Sequence, residues 1–254
     1  MPTEPGSDPG ADRALRDLRS AVDAAPADDS ELRVAGTAVL VRGGDAGPEV
    51  LMIERPDRGS FAGAWVFPGG GVEPADLRAG DAEQSDARRA AARETAEEVG
   101  LRIAPEHLHP FSCWTPPPGI PKRIRTWFFV GAVTDSVVTP AVAEVVEAAW
   151  VRPADVLDRH AAGRVVLYPP TWVTLYGLTG ASDAAELVAR ARAAGVRTFH
   201  TRVRRCETGT VFCWEPDAAH DAGPDATGAA TLDVPGPRHR LLTDALPWRY
   251  VVSD

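Results

Sequence analysis

Apolar residues form short runs in the first two thirds of the chain, and turn-forming residues separate these runs. Residues 34–41 and 50–54 flank a loop of glycine, aspartate and proline, so they predict a pair of strands. A third run, residues 65–67, ends at Pro68. The same reasoning predicts further strands at residues 108–114, 126–133 and 145–151.

Helical segments lie between and after these strands. Residues 86–99 are rich in alanine, arginine and glutamate, which favour helices, and Gly100 is placed to end this helix in the left-handed conformation. Further helices are predicted at 153–162, 170–178 and 182–194, and short strands at 208–214, 239–242 and 249–252. Because strands and helices alternate without a strict βαβ rhythm, the pattern favours a mixed sheet with helices on both faces.

Composition divides the chain into three parts. Residues 1–32 are rich in aspartate, alanine, proline and glycine, which predicts a flexible N-terminal tail. Residues 33–180 carry the regular pattern and predict the main domain. Residues 181–254 predict a helical and irregular extension that packs on the same domain.

The charge balance and the cysteines exclude several classes of protein. A net charge of -9 argues against sequence-independent binding to nucleic acid, which needs clustered lysine and arginine. No stretch of about 18 apolar residues is present, so we expect no membrane span. The N-terminus has no basic segment followed by an apolar run, and the three cysteines form no C-x-x-C pair. These features favour a cytoplasmic protein with reduced thiols.

The predicted helix at 86–99 carries the most specific candidate chemistry. Glu94, Glu97 and Glu98 have the i, i+3, i+4 spacing that places side chains on one helix face. Like charges on one face repel each other, and a divalent cation removes that repulsion, since Mg²⁺ prefers carboxylate oxygens. A solvated acidic face is the simpler interpretation of three glutamates, but the residues that precede the helix favour a site.

A glycine-rich segment comes directly after the strand at 65–67. Gly69, Gly70 and Gly71 predict a sharp turn at which the backbone approaches a ligand closely. Arg93 adjoins the glutamates and is placed to orient a carboxylate or to meet this turn.

Residues 70–101 resemble the Nudix box, G-x5-E-x7-R-E-U-x-E-E-x-G-U, in which U is aliphatic. Arg93, Glu94, Glu97, Glu98, Gly100 and Leu101 match its second half. The resemblance implies an α/β/α sandwich with a mixed sheet, and a hydrolase whose helix glutamates bind Mg²⁺ or Mn²⁺ and help to activate a water that attacks phosphorus. It also implies a small nucleotide-type substrate, and homodimers are common in the family.

The first half of the box departs from the pattern, because the interval from Gly70 to Arg93 is about nine residues too long. The first acidic position is therefore ambiguous. Counting forward from Gly70 reaches Asp76, and counting back from Arg93 reaches Ser85. Three further acidic residues are candidates for this position: Asp81, Glu83 and Asp86.

An interrupted box, together with residues 115–117, 121–123 and 126–129, resembles the coenzyme A diphosphatase group of Nudix proteins. This resemblance implies cleavage of CoA or an acyl-CoA. NADH, ADP-ribose and nucleotide sugars are alternative substrates. A catalytically weak nucleotide-binding sensor and a purely structural protein with an acidic helix are the rival functions.

Two further groups of residues complete the predicted site. Glu144 and Glu147 precede Trp150, where Nudix proteins often place an additional acidic ligand or base, so either could serve beside Glu94. Five basic residues could bind the outer phosphates of a substrate: Arg55, Arg58, Lys122, Arg123 and Arg125. The simpler interpretation places these residues on the solvated surface.

Overall fold

The computed structural model describes most of the chain from residue 32 onward. The predicted tail at 1–32 lies outside the described residues, except for Asp28, Asp29 and residue 32. The described residues are 28–29, 32–58, 61–120, 122–134, 137–206, 209–221 and 235–254.

Strands and helices of the described residues follow the predicted order closely through residue 178. The strands are β1 (Arg33–Gly44), β2 (Gly47–Glu54), β3 (Trp65–Val66), β4 (Gly69–Gly71), β5 (His109–Thr115), β6 (Ile124–Ala132), β7 (Glu147–Val151), β8 (Arg197–His200), β9 (Arg202–Cys206), β10 (Gly209–Cys213), β11 (Arg238–Leu242) and β12 (Arg249–Ser253). The α-helices are α1 (Glu83–Val99), α2 (Pro153–Ala161), α3 (Pro169–Leu178) and α4 (Ala184–Ala194).

The main sheet is mixed, as predicted. Its strands follow the order β3-β2-β1-β6-β5-β8, while β4 pairs with β1 and β7 pairs with β2. The pairs β1–β6 and β5–β8 are parallel, and the other pairs are antiparallel. None of the helices in the described ranges is long and apolar enough to cross a lipid bilayer.

Helices cover both faces of this sheet, because the residues of its central strand are apolar on both sides. Along β1, Ala38 and Leu40 belong to the core beneath α1, whereas Val39 and Val41 belong to the core beneath α3 and α4. This alternation follows from the two-residue period of a strand. The α/β/α sandwich implied by the resemblance is therefore confirmed.

Helix α1 packs unusually close to the sheet. Its buried face consists of small residues that include Ala87, Ala91 and Thr95. A Cβ added to Gly36 on β1 would lie 1.8 Å from the carbonyl oxygen of Ala87, so only glycine fits at that position. Gly100 ends the helix with φ of 73°, the left-handed conformation predicted for it.

The extension after residue 180 contains more sheet than predicted. Helix α4 is confirmed, and the Asp183 side chain caps its N-terminus by accepting a hydrogen bond from the backbone N–H of Glu186 at 2.8 Å. The three short strands predicted after this helix are also present, as β10, β11 and β12, whereas β8 and β9 were not predicted; β9 to β12 form a four-stranded antiparallel sheet. Strands of four or five residues, with one residue between β8 and β9, give only a weak periodic signal.

Aromatic packing joins this extension to the main domain. Phe199 on β8 stacks on Trp114 of β5, with ring centroids 3.7 Å apart. Trp214 meets both rings edge-on and is fully buried. The residues after 180 therefore share one hydrophobic core with the main sheet.

Candidate active site

The glycine-rich segment forms a strand and not the predicted turn. Gly69–Gly71 pairs with β1 as β4, with Gly70 opposite Gly36, because the extended backbone finds its hydrogen-bond partners on that neighbouring strand. The predicted close approach is nevertheless present. A Cβ on Gly70 would lie 2.3 Å from a carboxylate oxygen of Glu94, so the glycine leaves room for that side chain.

Glu98 is the most buried acid of the helix, with 1% of the residue exposed. Its carboxylate accepts a hydrogen bond from the Gly69 N–H at 2.9 Å and pairs with the Arg55 guanidinium at 2.5 Å. Burial raises the pKa of Glu98 to about 7, and the negative charges of Glu94 and Glu144 act in the same direction. The contacts with Gly69 and Arg55 lower this pKa but do not offset the burial.

The pKa of Glu94, one helical turn before Glu98, is raised for similar reasons. Burial raises the pKa of its carboxyl, and the charges of Glu97 and Glu144 raise it further, while Arg93 opposes them. Glu97 is the more exposed ligand candidate, since 54% of its side chain is accessible. The acidic face predicted from the spacing thus has a buried part at Glu98 and a solvated part at Glu97.

Arg93 connects the helix to the glycine strand. Its guanidinium donates to Glu94 at 3.0 Å, to Glu97 at 2.9 Å and to the Gly71 carbonyl at 3.0 Å. It also donates to both oxygens of Asp76, at 3.0 and 3.3 Å. Burial alone would lower the pKa of Arg93, but the bonds and charges of Asp76 and Glu94 raise it, so this side chain stays cationic.

Asp76 is the acid that the structure brings to Arg93 from the ambiguous first half of the motif. It is 3% exposed and lies six residues after Gly70, where the forward count placed it. Ser85, the alternative from the backward count, lies in the first turn of α1. The sequence therefore offered both positions, Asp76 from the forward count and Ser85 from the backward count. Only the fold shows that Asp76 is the one in contact with Arg93. The remaining candidates pair with other arginines: Asp81, Glu83 and Asp86.

Glu144 and Glu147 occupy different positions relative to the helix. Glu144 lies in a turn whose Ala141 N–H donates to the Glu98 carbonyl at 2.8 Å, and its charge acts on the carboxyls of Glu94 and Glu98. Glu147 begins β7 and stands opposite Glu54 in the strand register. The structure thus groups Glu144 with the helix acids and places Glu147 on the sheet.

The five basic candidates separate into two sets. Arg55 pairs with Glu98, and Arg58 donates to the Ala143 carbonyl at 2.8 Å, so both lie at the acidic cluster. Arg125 instead pairs with Glu83 at the other end of α1, and a helical rise of 1.5 Å per residue places that position about 16 Å from Glu94.

Arg123 is held within the loop between β5 and β6. It donates to the carbonyls of Pro116 and Pro117 and pairs with Asp29 at 2.6 Å. Lys122, its neighbour, is exposed. A role for these residues in binding substrate stays a prediction.

The donor chemistry of the cluster fits a hard divalent cation. Glu94, Glu97 and Glu98 offer carboxylate oxygens, which are the donors that Mg²⁺ prefers. Within the described ranges, no three acid, histidine or cysteine side chains converge as a ready-made metal site. Arg93 donates to both Glu94 and Glu97, and Arg55 pairs with Glu98, so each of the three carboxylates has an arginine partner in this structure.

This chain is similar to known proteins in sequence and in fold. A model of the NUDIX domain matches residues 32–169. The fold is similar to that of a NUDIX hydrolase from Alicyclobacillus acidocaldarius, with 23% identity and a TM-score of 0.54 over 64% of this chain and 97% of that one. A NUDIX domain of Shewanella oneidensis NrtR, solved with ADP ribose, matches at 18% identity over 66% of this chain and 92% of that one, with a TM-score of 0.44. No curated protein matches the chain.

Proposed function

The chain belongs to the NUDIX domain family, and on that premise we propose that it is a metal-dependent hydrolase whose preferred substrate is CoA or an acyl-CoA. Members of this family act on phosphorus anhydrides. The reaction proposed here splits the diphosphate bridge of a nucleoside diphosphate derivative by attack of water. With CoA, the products are 3′,5′-adenosine diphosphate and a phosphopantetheine fragment.

The crowding of Glu94, Glu98 and Glu144 is the observation that carries the proposal. Each of the two helix acids has its pKa raised by burial and by the charge of Glu144. Burial of a carboxylate charge is costly, and the pKa values of both acids stay raised although Arg93 pairs with Glu94 and Arg55 pairs with Glu98. Mg²⁺ or Mn²⁺ bound here would polarise the anhydride and lower the pKa of the attacking water.

Each residue of the cluster then has a distinct role. Glu94, Glu97 and Glu98 would hold the cation. Arg93 positions Glu94 by donating a hydrogen bond to its carboxylate at 3.0 Å, and Asp76 fixes Arg93 by accepting a hydrogen bond from its guanidinium. Arg55 and Gly69 fix Glu98 in the same way.

Glu144 is the best-placed residue to accept the proton of the attacking water. It lies in an exposed turn, so its carboxylate is free to move toward a substrate, and it neighbours both buried acids. When the new P–O bond forms, the bridging P–O bond breaks and the proton passes to this carboxylate. Arg58, anchored on the same turn, would contact the outer phosphate.

Preference for CoA is supported by the sequence resemblance described above. CoA carries a phosphate group on the 3′ oxygen of its ribose. Dinucleotides, ADP-ribose and nucleotide sugars lack that phosphate. A comparison of CoA with 3′-dephospho-CoA therefore tests this preference directly.

The test is a turnover screen with Mg²⁺ or Mn²⁺ on CoA, 3′-dephospho-CoA, NADH, ADP-ribose and a nucleotide sugar. We expect CoA to be cleaved fastest, and we expect Glu97→Gln and Glu98→Gln to lower kcat by at least about a hundredfold. The assigned metal ligands would be contradicted if the parent cleaved its substrate equally fast with and without a chelator, or if both variants were as active as the parent. Equal rates for CoA and its dephospho form would contradict only the substrate preference.

A matched pair of variants tests the assigned base. Glu144→Gln should lower kcat by about 10²- to 10⁴-fold, the usual contribution of a general base. Glu147→Gln removes an equal charge three residues away, on the strand, and should leave kcat within about twofold. If the two variants reversed these effects, Glu147 would be the base.

A further inference from the structure

A pocket of about 190 Å³ opens on the face of the main sheet opposite α1. Its floor is made by β5 and β8, and its walls by α3 and α4. Trp114, Phe199 and Leu187 line it, and each is at most 3% exposed. These residues belong to the hydrophobic core that faces away from the acidic helix, so the pocket is separate from the candidate active site.

Small residues on the two helices leave this space open. Gly177 lies near the end of α3 and lines the pocket, and a Cβ built there would meet no atom within 4 Å. On α4 the lining residues include Ala191 and Ala194. Core packing normally fills such space, because a void forfeits dispersion contacts. The pocket is therefore an apolar recess between the sheet and the two helices, which the small side chains leave open.

Arginine side chains lie at the edge of this apolar space. Arg197 is exposed, and its guanidinium lies 5.0 Å from the centre of the Phe199 ring. It donates a long hydrogen bond, at 3.5 Å, to the Tyr250 hydroxyl. Arg190 also lines the pocket, but Glu186 pairs with it at 2.7 Å. Among the described residues, no carboxylate pairs with Arg197, so its positive charge is available to a ligand.

We propose that this pocket binds a small amphipathic carboxylate, with an aliphatic chain of about six to eight carbons inside it and the carboxylate on Arg197. A dry apolar cavity of about 150 Å³ admits benzene, so a pocket of 190 Å³ takes a chain of this length. An apolar interior with one cation at its edge matches a ligand with one charged end. This proposal does not rest on the proposed hydrolase function.

The primary test is calorimetric titration of the full chain with octanoate, below the concentration at which octanoate forms micelles. 1-Octanol, of equal length but uncharged, should bind about tenfold more weakly, because it lacks the charge-assisted hydrogen bond. The binding position is read from the indole N–H signal of Trp114, which donates to Ser112 in the pocket wall at 3.1 Å. This signal should shift on titration.

Variants of the pocket interior separate a specific site from surface adsorption. Gly177→Leu introduces a side chain into open space and raises helix propensity, so the variant should fold at least as stably as the parent. We expect it to weaken binding of octanoate and octanol by tenfold or more. Ala191→Leu, on the facing helix, provides a second filling variant with the same expected result.

Substitution of Arg197, at the edge of the pocket, tests the role of its positive charge. Arg197→Gln should weaken octanoate about tenfold and leave octanol unchanged. Arg164→Gln removes an exposed arginine elsewhere on the molecule and should change neither ligand. The proposal is overturned if octanoate does not bind, if it binds without shifting the Trp114 signal, if both filling variants bind as well as the parent, or if Arg197→Gln and Arg164→Gln behave alike.

Discussion

Replacement of Glu98 by glutamine should stabilise the metal-free protein at alkaline pH while it abolishes hydrolysis. The residue is 1% exposed, and its pKa rises from 4.5 to about 7 on folding. Each tenfold change in an ionisation constant is worth about 1.4 kcal/mol, so the buried charge destabilises the folded state by about 3 kcal/mol above pH 7. Glutamine keeps the shape of the side chain and carries no charge.

The sign of the pH dependence follows from the raised pKa. Below pH 4.5 the carboxyl of Glu98 is protonated in both the folded and the unfolded state, so it does not affect stability. Between pH 4.5 and about 7 only the unfolded state loses the proton, and the free energy of unfolding falls as pH rises. Between pH 5 and pH 8 the parent should therefore lose about 2–3 kcal/mol relative to Glu98→Gln.

Urea denaturation in a chelator, followed by tryptophan fluorescence at pH 5 and pH 8, measures this difference. Glu106→Gln, at an exposed position, serves as the control and should follow the parent at both pH values. Added Mg²⁺ should stabilise the parent at pH 8 and should have little effect on Glu98→Gln. A stability difference that is the same at pH 5 and pH 8 would refute the assignment of a buried, charge-crowded carboxyl.

Two other substitutions follow directly from the packing. Gly70→Ala places a methyl group 2.3 Å from the Glu94 carboxylate and should lower kcat at least about tenfold. The control, Gly71→Ala, adds a methyl group that meets no atom within 4 Å and should retain activity. An equal loss of activity in both variants would contradict the role of the close approach between Gly70 and Glu94. Asp217→Asn removes the carboxylate charge that pairs with the buried guanidinium of Arg240 at 2.6 Å. It should lower the unfolding free energy by about 3–5 kcal/mol, as chemical denaturation would show, with kcat unchanged.

Helix α1 was predictable because its signals are local. Residue types with high helix propensity, a terminal glycine and the spacing of Glu94, Glu97 and Glu98 all fall within one segment. The structure begins the helix three residues earlier than predicted, at Glu83, and ends it at Val99 as predicted. Helix ends fray and caps vary, so such a shift at the N-terminus is expected.

The partners of the acidic side chains were not predictable in the same way. Arg55 precedes Glu98 by 43 residues, and the sequence suggested only a phosphate contact for it. The pairing arises because β2 and α1 end at the same edge of the sheet. Asp76 was one candidate among several until the fold placed its carboxylate on Arg93.

The sequence alone determined the three glutamates and the arginine of α1, the mixed sheet and the helices that cover it, because each depends on residue spacing within one element. Only the tertiary structure decided that Glu98 is buried, that the charge of Glu144 acts on the helix acids, and that β9 to β12 form a second sheet. These properties depend on which distant strands pair and on which side chains lose water, and both are set when separate segments pack together.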